Sequence, residues 1–507
     1  MKFVYRLALA AMLGGSAMMT TGCEGILDVD PRQSIDADGA LSSPQAMNAA
    51  MNSVYARLRG VTNYGRDLLA LSDALADVGV TTNNSGRLIQ ENNNQPRAHF
   101  NLWQNSYYAI NEANLILDAL AQGVEGATAN QISAWEGEAK FLRALYFFDL
   151  VRAYSYIPTY IYEPGLVDNG GIPMPLEGSI TSEVAQNRFS PRTPVNEVYA
   201  QIYTDLEDAI RLLSAGGRGP TYASGSAAHA LLSRVALYNG DYTKAIAEAT
   251  AALESPVGTV MSGMGYVDGW RSEQNPESMF EVRFQIAAES IGVNESLQTT
   301  YTTLLDLTGS KNRQGGWGDF VPNATVRGFF GLSAVQIGDD PADNDDWDVT
   351  RNEDYRGYLY TTGNTVRNAG RQIESIKFAS KSGFAYGDNV PVIRKSEMLL
   401  NRAEAYYFNN NPGAALADLN ELKAARGLTA VDLSGEALFD EILLERFKEF
   451  AFEGHRFFDL KRHGRAIDKR SYLGANAFVP ADDFRILPPF PQREVDINTN
   501  LNQNRGY

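Results

Sequence analysis

Two stretches far apart in the chain share one pattern, and that pattern constrains the fold more than any other feature. Residues 231–253 read LLSRVALYNGDYTKAIAEATAAL, and residues 399–425 read LLNRAEAYYFNNNPGAALADLNELKAA. Each has Leu-Leu, then Arg234 or Arg402, then Tyr238 or Tyr406 four residues on. Each runs through a polar turn into an Ala-rich segment beginning near Ala245 or Ala414. Small residues on a second helix let the first approach closely, as in tetratricopeptide-type helix pairs. Apolar residues also recur at three- and four-residue steps after Pro44, over 100–120, over 132–154 and over 194–214. Trp103 and Ile110 mark the second of these stripes, and Trp135, Leu142 and Tyr146 the third. That spacing is helical. The period is irregular and residues 255–390 interrupt it, so the expected fold is mostly α, a partial helical-repeat scaffold with few short strands.

The interruption is different in kind. Residues 255–390 are rich in Gly, Asn, Asp and aromatics, including Trp270, Trp317 and Trp347, and 278–284 alternates as a short strand does. A second polar stretch, 81–105, carries Asn83, Asn84 and Asn92. Loops on a rigid scaffold are where binding usually sits. The chain is 44% hydrophobic, enough for a large core, and its formal charge of −17 disfavours nucleic acid as a partner.

The single cysteine excludes an intramolecular disulfide framework and any Cys-rich zinc site. Lys2 and Arg6 precede an apolar run, Leu7 to Met19, that ends at Thr20-Thr21-Gly22-Cys23. The run is too short to span a bilayer but suits a signal peptide over residues 1–22. Small residues just before a cysteine resemble a bacterial lipobox, in which Cys23 is acylated, although Thr20 stands where that motif usually has an aliphatic residue. Ordinary secretion with cleavage elsewhere is the alternative. No other uncharged stretch approaches spanning length, so lipid would be the only anchor.

Three constellations bear on chemistry. Glu445, Glu449 and Glu453 are four apart, as are His455, Asp459 and His463, a spacing compatible with metal ligation on a helix face. Arg446, Arg456, Lys461 and Arg462 interleave with them, which favours a Glu/Arg network, with Glu453 and Arg456 holding neighbouring helices together. The acidic run Gly338–Asp348 lacks the EF-hand register, so calcium is conceivable there but no specific motif supports it. No G-x-S-x-G and no phosphate-binding loop occurs. No cofactor and no enzyme are expected.

Several motifs then combine. Cys23-Glu-Gly-Ile-Leu-Asp-Val-Asp-Pro31 opens the mature chain; Trp103, Tyr107, Ile110 and Asn114 follow in fixed spacing, then Glu138-Ala-Lys-Phe-Leu-Arg-Ala-Leu-Tyr146. Arg394-Lys-Ser-Glu-Met-Leu-Leu-Asn-Arg402, then Glu445-Arg446, Glu449, Glu453-Gly454, Arg456 and Asp459-Leu460, mark the last third, and Asn502-Gln-Asn-Arg-Gly-Tyr507 closes it with Arg505 in a usual proline position. In number, order and spacing these resemble the SusD/RagB family of outer-membrane nutrient-uptake lipoproteins. The resemblance implies four tetratricopeptide-like helix pairs under a loop-rich ligand face, in an outward-facing lipoprotein of the outer membrane. It implies binding of oligosaccharides, or of peptides in the RagB manner, for a SusC-like TonB-dependent transporter. It also implies a division into 23–254, the 255–390 insert and 391–507, the last two together forming one possible SusD/RagB domain. A secreted glycoside hydrolase and a helical-repeat adaptor without a small ligand are the alternatives.

Ligand residues follow from chemistry alone. Sugar rings stack on flat aromatics, and their hydroxyls need amide or carboxylate partners. Trp317, flanked by Gly315, Gly316 and Gly318, has the composition of an exposed platform, and Asn83, Asn84 and Asn92 of hydrogen-bonding partners. Trp103 and Trp135 belong to helix stripes and are expected in the core.

Overall fold

The computed structural model describes residues 41–161, 170–366 and 370–507; Cys23, the signal segment and the opening motif through Pro31 lie outside them. Among the described residues, no helix is long and apolar enough to cross a membrane. The scaffold is a series of helices: α1 (Pro44–Leu58), α2 (Trp103–Gln122), α3 (Ala129–Tyr154), α4 (Val195–Leu212) and α5 (Gly225–Asn239). It continues with α6 (Tyr242–Glu254), α7 (Lys395–Phe408), α8 (Pro412–Ala425), α9 (Gly435–Phe450) and the short α10 (Arg456–Arg462). Each helix lies against the next in chain order, so α1 and α2, α3 and α4, α5 and α6, and α7 and α8 form pairs. α6 packs on α7 although residues 255–394 intervene, so the insert is looped out of the series.

Local chemistry explains the turns. The Ser224 hydroxyl accepts the Ala227 N–H to start α5, Gly240 ends it at φ +74°, and Asp241 at once caps α6 through the Lys244 N–H. Asn411 and Pro412 do the same for α8. α3 starts three residues earlier than its apolar stripe predicts, because its first turn is a polar capping box between Thr128 and Gln131. The Ala-rich face closes as expected, with Ala245, Ala249 and Ala252 of α6 fully buried. The two related arginines differ in role. Arg234 reaches Glu397 of α7 through two 2.6 Å bonds and so joins pair to pair, whereas Arg402 holds Asp418 of α8 at 2.7 and 2.8 Å within one pair.

The insert is stemmed by an antiparallel pair, Ser278–Val282 with Val390–Arg394. The alternation over 278–284 does give a strand, but it is buried on both faces. Other two-stranded pairs brace the loops, including Gly79–Thr81 with Phe320–Pro322, which joins the Asn-rich stretch to the insert. The Gly338–Asp348 run connects Ala334–Gln336 to Trp347–Val349, and its carboxylates organise the surroundings: Asp345 accepts the Lys311 N–H at 2.6 Å and Asp343 the Asn312 amide at 2.6 Å.

The charges of 445–463 form the expected buried network. Glu449 meets Arg426 at 2.8 Å and Arg394 at 3.0 Å, Glu445 meets Arg356 at 2.8 Å, and Asp459 meets Arg462 at 2.8 Å. His455 stacks on Phe450 with ring centres 4.3 Å apart. Glu453 and Arg456 do not pair with each other. Glu453 holds Arg394 and Lys377, and Arg456 holds Asp77 at 2.8 Å, so both tie α9 and α10 to distant segments.

Candidate ligand-binding site

A cavity of about 960 Å³ opens in the looped-out insert, and every described residue lining it falls between Arg271 and Ala385. That volume suits an oligosaccharide or another mid-sized ligand. Its walls do not follow from local sequence periodicity. The buried Gln298 amide donates to the carbonyls of Leu304 at 3.1 Å and Leu305 at 2.8 Å, while its oxygen accepts the Ser380 hydroxyl at 2.9 Å and the Tyr386 N–H at 2.7 Å. One side chain therefore clasps two walls. Asp388 fixes the second wall by accepting the N–H groups of Ser380 at 2.9 Å and Lys381 at 2.7 Å.

Tyr358 is the exposed ring of the cavity, 37% accessible. It stacks beside Tyr355, and the Arg351 guanidinium lies 5.0 Å from its centre. Arg351 is itself fixed by the carbonyls of Gly357 and Val349, so the ring is presented from a braced turn. Phe384 contributes a second, partly buried ring.

Beside the Leu304 wall, the Glu374 carboxyl accepts the Thr303 N–H at 2.7 Å and the Thr302 hydroxyl at 2.9 Å. Burial pushes this group up to about 7, and the threonine donors offset only part of that rise. The folded pKa lies above the unfolded one. Glu374 therefore favours the fold below about 4.5, and its contribution is lost as pH rises towards 7. Melting curves of Glu374→Gln and wild type are expected to diverge over that window, with the variant losing less stability as pH rises; parallel curves would contradict this.

The residues predicted from sequence fall elsewhere. Trp317 is half-buried and does not line the large cavity. Its main-chain N–H donates to the Thr299 carbonyl at 3.0 Å, its indole N–H to the Asn294 side chain at 3.3 Å, and the Arg87 guanidinium stands 6.0 Å from its ring. The structure does bring it to Asn84, whose amide donates to the Trp317 carbonyl at 2.7 Å. Asn83 is exposed beside it in the left-handed conformation. Asn92 is a correction: it is 1% exposed and so is not presented to solvent, and the Lys469 ammonium meets its main-chain carbonyl at 2.8 Å. The glycines around Trp317 are a second correction. A Cβ on Gly315 would sit 2.1 Å from the Leu304 carbonyl oxygen and one on Gly316 2.3 Å from that of Thr302, so these glycines allow a close backbone approach and do not free the ring. Trp103 and Trp135, each 4% exposed, are core as expected. Sequence reading passed over Tyr358, Arg351 and Lys311; the one signal was the run Asp354-Tyr-Arg-Gly-Tyr358 inside the loop-rich insert.

Residues 26–237 match a family described as starch-binding and associating with the outer membrane, and residues 341–507 match the SusD family. Together the two matches take in about three quarters of the chain. SusD-like protein P2 of Formosa agariphila is 25% identical, over 96% of this chain and 97% of that protein. Starch-binding protein SusD of Bacteroides thetaiotaomicron is 24% identical over 100% of this chain and 99% of its own length. A laminarin-binding SusD-like protein superimposes with a TM-score of 0.68 at 21% identity, over 92% of this chain and 100% of that one. Helix pairs in series, a looped-out insert and these matches lead to one assignment: the chain belongs to the SusD/RagB family.

Proposed function

We propose that this protein is a glycan-binding lipoprotein of the outer membrane that takes up oligosaccharides in the insert cavity and hands them to a SusC-like TonB-dependent transporter. The observation that carries the binding part is the cavity itself, walled among the described residues by the segment 271–385 and presenting Tyr358 on a braced turn. A ring held in that way stacks on a sugar face at little ordering cost. Trp317, with Asn84 and Asn83 beside it, is the alternative edge.

The cavity carboxylates favour binding over hydrolysis. A glycosidase needs one carboxyl with a raised pKa to act as acid. Among the described residues, Asp306 and Asp348 are the two carboxylates on the lining. Partial desolvation pulls both up, but N–H donors of Thr308 and Gly309 hold Asp306 below its ordinary value, and Arg351 with the Val349 N–H does the same for Asp348. Calorimetric titration against oligosaccharides and peptides, with an assay for released sugar ends, tests the reading. Glycan binding without hydrolysis is expected; turnover, or binding of peptides alone, would overturn it.

Anchoring is proposed through a diacylated Cys23 facing outward. Cys23→Ser is expected to release the protein from the membrane fraction and to abolish fatty-acid labelling. A serine variant that still pellets and labels would contradict the lipobox reading.

A further inference from the structure

The insert cavity has a charge opposite to that of the chain around it. Among the described residues, five cationic side chains line it, Arg271, Lys311, Arg313, Arg351 and Lys381, against the two carboxylates Asp306 and Asp348. The whole chain carries −17. A local cationic excess in so acidic a protein therefore opposes the overall field.

Both carboxylates are already engaged. Asp306 pairs with Arg313 at 2.7 Å, and Asp348 pairs with Arg351 at 3.0 Å. Of the other three, Arg271 and Lys311 make no close ion pair. Lys311 donates its ammonium to the Trp347 carbonyl at 2.6 Å and to the Thr362 hydroxyl at 3.2 Å, both neutral groups. Arg271 stands 3.8 Å from Asp268, with 45% of its side chain exposed. Lys381 is not available to a ligand: its ammonium is buried without a hydrogen bond, 5.1 Å from the ring centre of Trp270 and 5.3 Å from that of Phe378, and the Asp388 and Glu281 carboxylates act on it. Desolvation lowers the Lys311 ammonium below its ordinary value although Asp348 and Asp345 oppose it, and a bound anion would relieve the remaining cost.

We infer that the ligand of this cavity is an anionic oligosaccharide, whose carboxylate or sulfate ester groups face Arg271 and Lys311 while a sugar ring lies against Tyr358. The inference rests on the glycan reading above and narrows it. Neutral sugars need hydroxyl partners and a ring face; a surplus of unpaired cations adds nothing for them and costs desolvation. An anion converts that surplus into charge-assisted hydrogen bonds, which are the stronger kind.

The test titrates the full chain with three probes of matched length: a neutral β-glucan oligosaccharide, an oligogalacturonate and a sulfated galactan oligosaccharide. One of the two acidic probes is expected to bind at least about tenfold more tightly than the neutral one, and to weaken as salt rises. Which acidic probe wins distinguishes a carboxylate from a sulfate ligand. Arg271→Gln, at an exposed position that does not threaten the fold, and Lys311→Gln are each expected to weaken acidic binding about three- to tenfold more than they weaken neutral binding. Melting curves verify that both variants fold. Neutral binding as tight as acidic, or acidic binding indifferent to both substitutions, overturns the inference while the glycan reading stands. Binding of none of the three probes would bring down both.

Discussion

Glu449→Ala is expected to destabilise the protein by about 3–5 kcal/mol, the cost of leaving buried charges uncompensated. Glu449 is fully buried and accepts from Arg426 at 2.8 and 2.9 Å and from Arg394 at 3.0 Å, with Arg356 at 3.5 Å. Burial alone would raise its pKa, but Arg426, Arg394 and Arg356 hold it well below the carboxylate range. Its folded pKa is thus depressed. The stabilisation is present above the unfolded value near 4.5 and is lost as pH falls below it. Denaturant unfolding at neutral pH measures the loss, and repeating it in acid should shrink the gap between variant and wild type. An unchanged midpoint at neutral pH would mean that the network does not hold the helices.

Trp135→Ala is expected to cost a similar amount, about 3–5 kcal/mol, for a different reason. The ring is 4% exposed on α3, and its indole N–H donates to the Asn48 side chain of α1 at 2.9 Å. Truncation opens a cavity and leaves that amide without its donor. Trp317→Ala is the contrast. Its main-chain donors to Thr299 survive the substitution and the ring is half-buried, so a loss of about 1 kcal/mol is expected. Thermal melting of the two variants side by side checks both; equal losses would contradict the placement of Trp317 at the edge.

How far the sequence could be read depended on the range of the forces involved. The helix pairs were legible because periodicity, caps and Ala-rich faces are local: the Asn239-Gly240-Asp241 turn announces itself within a few residues. The Glu/Arg network was legible in kind, since interleaved charges at helical spacing seek one another. Its partners were not, because Arg456 finds Asp77 and Glu453 finds Lys377 across long stretches of chain. The cavity was the least legible part. Its walls meet through Gln298 and Ser380, 82 residues apart, and no period records such a bond. Composition placed binding in the 255–390 insert, where the cavity lies, but it chose Trp317 for its glycines. Those glycines serve backbone packing, and Gly318 sits at φ +59° where a Cβ would approach Thr303 at 2.8 Å. Asn92 follows the same pattern: polar character suggested exposure, while the residue is 1% exposed and its main-chain carbonyl accepts from buried Lys469.

The central claim is that glycan is held in the insert cavity against Tyr358. Titrating wild type, Tyr358→Ala and Trp317→Ala with an oligosaccharide that binds the wild type tests it most directly. The account predicts that Tyr358→Ala weakens binding by about 1–3 kcal/mol, roughly five- to 150-fold, with an unchanged melting temperature, and that Trp317→Ala binds as wild type does. Normal binding by Tyr358→Ala together with lost binding by Trp317→Ala would contradict it and move the site to the Asn84 edge.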